Sequence, residues 1–550
     1  MTRKNKTNGF IKAAKFRSYS VTENGATALS TTGSILVDQF GKAGNFRGRH
    51  IDAVFNDMER LWEENPQAAL RFPFYLRLIT RKTRVDKGFK TEKVQKGQGA
   101  RDESFKRLLW IARFHKEEFN RNIALLPIIG SWKDMWTLLH YDLVEGTHAI
   151  DENIIFSLLK VGLDNQVHVN LVKKFMPRIK SSAKCKTPWS ENTNLLAKKF
   201  AKFLKVPYTK YNKLKASGTA HDFQKIICNR EFEKLDWNKI PGRALTLLAS
   251  GKFLERHNLV NSYQDWIGKK DVAPFAGYPC ELYKRYKEAT WSRHGLTYSL
   301  QQTIDKQFDS LVKKAEADGK ITENVLVGLD TSGSMMSNIE GLPNYQCIDM
   351  AVSLALFFAK LNKGEFHNKV MMFDNVSRAF DLPSESFIEN ARSLPTVSCG
   401  GTNFQSIIDE IVKIRKEKPD IPLEDYPKTI LVVSDMQFNP ITRRYGWTNV
   451  LSTEKQTNAE YSRNVLKTVF PSEFVDSMKF VWWDCCGRGT QTYEGDSNNG
   501  QDFFFSGFDG SILSFLIGME NKTDNGQVVK VTAEEIALNA LNQEILSYVN

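Results

Sequence analysis

The sequence predicts a helical N-terminal region followed by a doubly wound α/β domain. Three observations support this fold class. Apolar residues recur at intervals of three and four across residues 51–320, which is typical of amphipathic helices. From about residue 321, short β-rich runs alternate with helical segments, which indicates a mainly parallel sheet covered on both faces. The two regions also differ in the sign of their net charge, which favours separate domains.

The N-terminal region is predicted to have two parts. Residues 1–50 are rich in Gly, Ser, Thr and Lys, so we expect an extended basic segment with one apolar run, SILVDQF, at 34–40. Residues 51–320 form the helical domain, in which prolines and glycines separate the helices. No internal repeat is detectable, so a helical-repeat array is a prediction of shape and not of a period.

The α/β domain is predicted to occupy residues 321–520. The predicted strands are NVLVGLD (324–330), KVMMFD (369–374), TILVVSD (429–435), KFVWWD (479–484) and DFFFSGFD (502–509). The predicted helices between and after them lie near 346–362, 403–417, 459–469 and 509–519. Ligands of such sheets bind beyond the carboxyl ends of the strands, near the point where the strand order reverses. Four of these strand ends carry an aspartate, namely Asp330, Asp374, Asp435 and Asp484.

Three further features concern the tail and the environment of the chain. In the tail, residues 521–550, Thr532 and Glu535 have the spacing of a capping box, which predicts a final helix to about Tyr548. The longest apolar stretch, AVSLALFFA at 351–359, is too short to span a bilayer, and the basic start lacks the apolar core of a secretory signal. The seven cysteines include no CxxC pair, so we expect free thiols in a reducing, cytoplasmic compartment.

The net charge of +13 is divided unevenly along the chain. Residues 1–320 carry 57 Lys and Arg against 33 Asp and Glu, a net of +24, whereas residues 321–550 carry 19 against 30, a net of −11. A basic region of this kind is the electrostatic footprint of a nucleic-acid binder. The alternative is a solvated surface whose charges attract the acidic half.

The stretch VLVGLDTSGSMM, residues 325–336, predicts a metal site. An apolar strand ends on Asp330, and hydroxyls follow at alternate positions, Ser332 and Ser334. A hard cation such as Mg²⁺ takes oxygen ligands, and this loop supplies three of them. Two more segments fit the same site: Thr402 follows two glycines, and Asp435 ends another strand. The alternative is that the hydroxyls cap helices and hold no ion.

The five residues Asp330, Ser332, Ser334, Thr402 and Asp435 match the metal-ion-dependent adhesion site pattern, so the C-terminal region resembles a von Willebrand factor A domain, which has a Rossmann-like doubly wound fold. In that family, a carboxylate from a partner protein usually completes the coordination of the ion. The resemblance therefore implies a divalent cation, Mg²⁺ or another, and a protein carboxylate as a further ligand.

The whole chain resembles the TROVE proteins, the Ro autoantigen class, and an uncharacterised TROVE-like family still more. The segments that carry the resemblance cover most of residues 20–520: TENGATALSTTGSILVDQF (22–40), GARDESFKRLLWIARF (99–114), LLPIIGSWKDMWTLL (125–139), CGGTNF (399–404), FVWWDCCGRG (480–489) and FSGFDGSILSFL (505–516). The resemblance implies a HEAT-like helical ring that the A domain helps to close. It also implies binding of structured non-coding RNA or single-stranded RNA ends. The basic stretch 77–101 is an apparent insertion relative to the family pattern.

Basic stretches with interleaved aromatic residues suit phosphate neutralisation and base stacking. They predict nucleic-acid contacts by Arg81, Lys82, Arg84, Lys173, Lys174, Arg178, Lys180, Lys184, Lys198 and Lys199. For any single lysine among them, a position on a solvated face is the alternative. The cluster as a whole carries the prediction.

The function expected from the sequence is non-catalytic RNA binding with a metal-binding A domain. The second hypothesis is a Mg²⁺-dependent protein-interaction or assembly module that binds no RNA. An enzyme is not expected, since the chain has no GxxxxGK[ST], HExxH or GxSxG motif and its nine histidines show no ligand spacing.

Overall fold

The computed structural model describes most of the chain. The described residues are 19–44, 48–82, 94–218, 222–250, 252–269, 275, 277–292, 295–318, 324–339, 342–395, 400–445, 448–451, 456–487, 493–496, 500–508, 522–524, 527–529 and 531–550. Among them, no helix is both long and apolar enough to cross a bilayer.

The helices and strands are numbered in chain order. The α-helices are α1 Ile35–Lys42, α2 Ile51–Glu64, α3 Pro66–Arg77, α4 Arg101–Phe114, α5 Lys116–Asn122, α6 Leu126–Ile129, α7 Trp132–Val144, α8 Glu152–Asp164, α9 Val169–Phe175, α10 Pro188–Phe203, α11 Tyr208–Ala216, α12 Asp222–Asn229, α13 Gly242–Ser250, α14 Phe253–Arg256, α15 Val260–Lys269, α16 Pro279–Thr290, α17 Tyr298–Asp318, α18 Cys347–Leu361, α19 Phe387–Ser393, α20 Gln405–Glu417, α21 Asn458–Leu466, α22 Ser472–Ser477 and α23 Ala533–Leu541. The strands are β1 Tyr19–Val21, β2 Thr27–Leu29, β3 Ile79–Lys82, β4 Val94–Gln98, β5 Val325–Asp330, β6 Asn338–Ile339, β7 Leu342–Gln346, β8 Lys369–Phe373, β9 Ser377–Asp381, β10 Thr429–Ser434, β11 Thr442–Tyr445, β12 Thr448–Leu451, β13 Lys479–Asp484, β14 Asp502–Ser506, β15 Lys522–Asp524 and β16 Gln527–Val529.

The chain forms two compact units, and neither is continuous in sequence. The sheet unit contains the described residues of 1–47 and 241–540, and the helical unit contains those of 48–240 and 541–550. The predicted classes are present, with helices in the N-terminal region and a mostly parallel sheet in the C-terminal region. The division falls near residue 240, whereas the sequence predicted a boundary near 320.

The sheet unit is built on six strands in the order β14-β13-β10-β5-β8-β9. All pairs are parallel except β8 with β9, which are antiparallel. The five predicted strands are all present, and β9 is an edge strand that the sequence did not predict. The chain leaves β5 for β8 on one side and later enters β10 on the other. The strand order therefore reverses between β5 and β10, where ligands of such sheets bind.

The centre of the sheet is buried on both faces. Every residue of β5 and β10 is buried, as the unbroken apolar runs predicted. Helix α18 lies against the sheet with nearly every residue buried. Gly328 allows helix α20 to approach on its side, because a β-carbon there would lie 3.1 Å from Cδ1 of Ile407. Packing of α18 and α20 fixes the loops at the carboxyl ends of β5 and β10.

Helices α13–α17 belong to the sheet unit rather than to the helical unit. The ring of Phe308 in α17 stacks on that of Phe387 in α19 with centroids 4.1 Å apart. Asp305 of α17 accepts hydrogen bonds from the Ser386 hydroxyl at 2.9 Å and the Ile388 amide at 3.0 Å. These contacts account for the displaced boundary, because an amphipathic pattern predicts a helix but does not indicate which surface covers its apolar face.

The N-terminal residues 19–44 are folded onto the sheet unit. Strands β1 and β2 form a hairpin, Leu29 bridges to Tyr493, and the Thr22 hydroxyl donates to the Phe438 carbonyl at 2.7 Å. Helix α1 packs close to β14, since a β-carbon on Gly41 would lie 3.2 Å from that of Phe504. The expectation of an extended segment is therefore wrong for these residues, and residues 1–18 lie outside the described part. The apolar run at 34–40 becomes the buried α1.

The helical unit contains a buried ionic network on α4. Glu103 is fully buried and is paired with Arg107 and Arg49. Burial alone would raise the pKa of Glu103, but the two guanidinium groups outweigh it and lower that pKa to about 2. The network satisfies charges that burial would otherwise penalise, so it favours the folded state only while all its members are charged.

A second buried ion pair joins α3 to α7. The Arg77 guanidinium donates to Oδ2 of Asp134 at 2.5 Å, and the Ser131 amide donates to the same oxygen at 2.7 Å as part of the α7 capping box. Gly130 leaves room for this pair, because a β-carbon there would lie 2.3 Å from that oxygen. A side chain at 130 is therefore incompatible with the pair as it stands.

The last ten residues return to the helical unit. The side chain of Asn122 holds the backbone of Asn550 from both sides, accepting from its amide at 2.9 Å and donating to its carbonyl at 2.6 Å. The capping box of Thr532 with Glu535 is confirmed, with Glu535 N donating to the Thr532 hydroxyl at 3.2 Å. The final helix ends at Leu541 rather than near 548, and a 3₁₀ turn follows at Glu544–Leu546.

Candidate functional site

The carboxyl ends of β5 and β10 bring two of the predicted metal residues together. Asp330 is the last residue of β5 and is fully buried, and Asp435 directly follows β10 and is also buried. Oδ1 of Asp330 accepts from the Ser332 amide at 2.9 Å, and Oδ2 accepts from the Ser434 hydroxyl at 2.5 Å. The Asp330 carboxylate is therefore held in a fixed orientation at the point where the strand order of the sheet reverses.

The two serines of the DTSGS loop lie beside this carboxylate. Ser332 is buried and precedes a 3₁₀ turn, Gly333–Met336. The hydroxyl oxygens of Ser332 and Ser334 are 3.1 Å apart, so both face one side of the loop. The alternate spacing read from the sequence thus produces a hydroxyl pair next to Asp330.

The Thr402 loop reaches the same edge through backbone hydrogen bonds. The Gly333 amide donates to the Gly400 carbonyl at 3.3 Å, which joins this loop to the DTSGS loop. The Asn439 amide donates to the Thr402 carbonyl at 2.9 Å, which joins it to the turn after Asp435. The Thr402 hydroxyl is buried, with the residue 1% exposed, and has no hydrogen-bond partner among the residues that the structure describes. A buried hydroxyl in this situation is rare, and its oxygen is available as a donor to a cation.

The electrostatics of this edge favour a cation. Burial is the main cause that raises the pKa of Asp330, and the negative charge of Asp435 raises it further, to about 7. Hydrogen bonds from Ser434 and Ser332 act in the opposite direction. Two buried carboxylates and three hydroxyls form an all-oxygen donor set, which is what Mg²⁺ requires. The residues present therefore fit a hard divalent cation.

The other two strand-end aspartates serve local structure. Oδ1 of Asp484 accepts from the Cys486 amide at 2.9 Å and the Gly487 amide at 3.1 Å, and its Oδ2 is 4.0 Å from the ammonium of buried Lys42. Asp374 accepts from the Val376 amide at 3.0 Å. Within the described residues there is no group of three or more His, Cys, Asp or Glu side chains arranged to hold a metal ion. The candidate set contains two carboxylates, with hydroxyls as its remaining donors.

The cysteines differ in part from the expectation of free thiols. Cys347 at the start of α18 and Cys486 after β13 form a disulfide, with their Cα atoms 5.3 Å apart. The sheet brings together two cysteines that are 139 residues apart, which the sequence spacing did not indicate. Cys185, Cys228, Cys280 and Cys485 are free thiols, and Cys399 lies outside the described residues.

The predicted nucleic-acid residues are spread over several elements of the helical unit. Arg81 and Lys82 lie on β3, but their side chains, and all of Arg84, are outside the described part. Lys173 and Lys174 lie in the last turn of α9. Arg178 and Lys180 lie between α9 and a 3₁₀ turn that contains Lys184. Lys198 and Lys199 lie on α10.

These cations differ in how they are neutralised. Lys199 pairs with Glu152 at 2.6 Å, so its charge is already compensated. Near Lys174 and Arg178 lies a third cation that the sequence did not single out, Lys215 of α11. Burial lowers the pKa of Lys215, and the charges of Arg178 and Lys174 lower it further. The effect on Lys215 and its hydrogen bond to the Lys174 carbonyl place these cations close together, in a cluster that an anion would stabilise.

The chain is similar to three proteins or families. A family model described as a domain of unknown function, DUF7788, matches residues 324–545. The uncharacterized protein L728 of Acanthamoeba polyphaga mimivirus is 22% identical over 550 residues, covering 91% of this chain and 85% of that protein. The crystal structure of the Deinococcus radiodurans RO (RSR) protein superposes with a TM-score of 0.44 and 14% identity, covering 89% of this chain and 99% of that one.

Proposed function

We propose that this protein binds RNA without catalysis through the basic surface of its helical unit, and a divalent cation at the β5–β10 edge of its sheet unit. The observation that carries the proposal is a basic segment without acidic residues. Residues 165–190 contain six lysines and arginines and no aspartate or glutamate. Phosphate groups are the partners that such a segment attracts most strongly.

The geometry of the helical unit supports this assignment. Lys174 and Arg178 lie close enough to Lys215 for their charges to lower its pKa, and no ion pair to a carboxylate is formed by these three among the described residues. A solvated surface would be expected to intersperse carboxylates, as Glu152 does beside Lys199. The resemblance to TROVE proteins adds the kind of partner, structured non-coding RNA or single-stranded RNA ends. It also adds the arrangement of α2–α12 as HEAT-like repeats in a ring.

We assign the sheet unit to the von Willebrand A class on its strand order and on the five oxygen-bearing residues at the switch point. Asp330, Asp435 and the hydroxyls of Ser332, Ser334 and Thr402 would hold Mg²⁺. The bound ion would supply a site for an external carboxylate oxygen. The hydroxyl-rich donor set is better suited to accepting such a ligand than to activating water, so we assign no reaction to it.

The test is RNA binding by the full chain as a function of salt. We expect the purified protein to carry RNA and its affinity to fall steeply as salt rises. Reversing two charges, Lys174→Glu with Arg178→Glu, should abolish binding. A matched control, Lys234→Glu with Lys239→Glu, changes the net charge equally at exposed positions of the same unit and should bind nearly as wild type. Equal losses in both variants would contradict a localised RNA surface.

The second candidate is a Mg²⁺-dependent protein-interaction module. One observation favours it: Met336 and Val376, next to the loops of the metal site, are 38% and 50% exposed. The apolar side chains would give a partner protein contact area, and the cation beside them would attract a carboxylate of that partner. A partner that binds in Mg²⁺, is released by chelator and is lost in Asp330→Ala would support this candidate. A preparation free of RNA would then remove the first proposal.

The cytoplasmic location remains a proposal. Four free thiols are consistent with a reducing compartment, and the disulfide between Cys347 and Cys486 is the feature that bears against it. The redox state of that pair in the cell would decide between a reducing and an oxidising compartment.

A further inference from the structure

A short irregular segment between α9 and the next 3₁₀ turn presents two cations to solvent. After Pro177, Arg178 is exposed, Ile179 is buried and Lys180 is exposed. This alternation has the two-residue period of extended backbone. Two residues of extended backbone span about 7 Å, so the two cationic side chains leave the same side of the segment at about that spacing.

Two asparagines hold the backbone of this segment from both sides. Asn212 of α11 accepts from the Ile179 amide at 3.0 Å and donates to the Ile179 carbonyl at 3.0 Å. Asn194 of α10 accepts from the Lys180 amide at 2.8 Å and donates to its carbonyl at 3.2 Å. Each side-chain amide thus replaces the neighbouring strand that an extended residue would otherwise need.

Two further side chains extend this support. The Tyr211 hydroxyl, on a fully buried ring of α11, donates to the Pro177 carbonyl at 3.1 Å. The Lys215 ammonium donates to the Lys174 carbonyl at 2.9 Å, at the end of α9. Helices α10 and α11 therefore fix the course of the backbone from 174 to 180, although the segment has no strand partner of its own.

The charge of the segment itself is entirely positive. Arg178 and Lys180 form no ion pair with any described carboxylate, and the sequence has none between residues 165 and 190. An ordered backbone reduces the entropy that is lost on binding. Here the ordered backbone carries two exposed cationic side chains. Such a rigid pair at a fixed spacing suits successive anions on one chain rather than a single counter-ion.

An exposed aromatic ring lies on the same helix as Asn194. Trp189 lies on α10 five residues before Asn194, which is about 7.5 Å along the helix axis. Its ring packs on that of His140 with centroids 3.6 Å apart, and it remains 48% exposed. A supported tryptophan face with free area is a stacking platform for a base.

We propose that Arg178 and Lys180 bind two successive phosphates of single-stranded RNA, that Trp189 stacks on a base of the same strand, and that Asn194 and Asn212 are the positioning residues. This assignment rests on the proposed RNA-binding function and narrows it to one strand and one site. The asparagines act through the backbone, so their loss leaves every charge in place.

The experiment measures binding of a short fluorescent oligouridylate to the full chain at several salt concentrations. Arg178→Ala with Lys180→Ala should weaken binding and reduce the slope of log affinity against log salt by about 1.4, since two phosphate contacts are lost from a single strand. Asn194→Ala with Asn212→Ala should weaken binding by about tenfold with a smaller change in slope. Trp189→Ala should weaken binding with the slope unchanged.

Two controls separate positioning from stability. Asn122→Ala removes the same two-sided grip on a backbone residue, Asn550, elsewhere in the helical unit. It should lower the melting temperature as the other asparagine variants do, yet bind as wild type. Lys234→Ala with Lys239→Ala controls for the loss of two positive charges.

The outcomes distinguish failure of the proposed function from failure of this particular site. If the wild-type chain binds no RNA, the proposed function fails. If it binds RNA but the Arg178 and Lys180 pair matters no more than the Lys234 and Lys239 control, the function stands and this site is wrong. Affinity for a duplex of the same length above that for the single strand would overturn the single-strand assignment.

Discussion

The Thr402 hydroxyl gives the sharpest test of the proposed metal site. It is buried and has no hydrogen-bond partner in the described part of the chain, and such a group costs about 1–3 kcal/mol of stability. Thr402→Val keeps the shape and removes the hydroxyl. We therefore expect the variant to be more stable than wild type by about 1 kcal/mol in chelator. If the hydroxyl instead made a structural hydrogen bond, Thr402→Val would make the protein less stable.

The same substitution should weaken Mg²⁺ binding. Removal of one of the oxygen donors should reduce affinity by at least about tenfold, so that about 1.4 kcal/mol of the stabilisation by excess Mg²⁺ is lost. The measurement is urea unfolding followed by tryptophan fluorescence, in chelator and in excess Mg²⁺, for both proteins. The difference between the two conditions is the metal contribution.

Thr246→Val is the matched control in the same unit. The Thr246 hydroxyl is also buried, but it hydrogen-bonds the Gly242 carbonyl at 3.0 Å and the Gln307 side chain at 2.7 Å. Its removal should destabilise the protein by about 1–3 kcal/mol in both conditions and leave the metal contribution unchanged. If Thr402→Val behaves like this control, Thr402 is not a metal ligand.

Three further predictions concern buried groups. Glu103→Gln should cost about 3 kcal/mol of stability at neutral pH. Because the pKa of Glu103 is about 2 in the folded state and 4.5 ordinarily, this cost should shrink as pH falls from about 4.5 towards 2. A cost that does not change with pH would contradict the assigned pKa. Gly130→Ala should destabilise the helical unit by about 2 kcal/mol or more, because its β-carbon meets a buried ion pair, whereas Gly268→Ala has open space and should be neutral or slightly stabilising in thermal unfolding. Cys347 and Cys486 should resist alkylation in denaturant until a reductant is added, and mass spectrometry that finds both labelled without reductant would rule out their disulfide.

Local patterns in the sequence predicted five of the six strands of the main sheet and three of the helices between them. The five predicted strands and the three predicted helices that fall on described residues are found within a few residues of their predicted bounds. Apolar runs, helical periodicity and caps act over short distances, so the sequence contains that information directly. The edge strand β9, SRAFD, was missed because its burial pattern is mostly exposed or intermediate and shows no apolar run.

The candidate metal residues were predicted as a set, and the fold places all five at one edge. Each lies at a strand end or in a loop beside one, and parallel strands bring their carboxyl ends to the same edge. That the Thr402 hydroxyl has no partner among the described residues, and that Ser434 donates to Asp330, was not predictable, because both depend on the exact approach of three loops. The disulfide between Cys347 and Cys486 could not be predicted for the same reason, since it depends on how distant segments meet.

The sequence by itself determined the two fold classes, the ends of the central strands, the five oxygen-bearing residues of the candidate metal site and the location of the acid-free basic segment. Tertiary structure decided which of these features act together. It placed 19–44 on the sheet unit and 541–550 on the helical unit, compensated Lys199 with Glu152 and fixed residues 178–180 with two asparagines. The physical reason is that periodicity and capping are encoded within a few residues. Pairing between distant side chains depends instead on which apolar faces are buried against each other, and no local pattern records that choice.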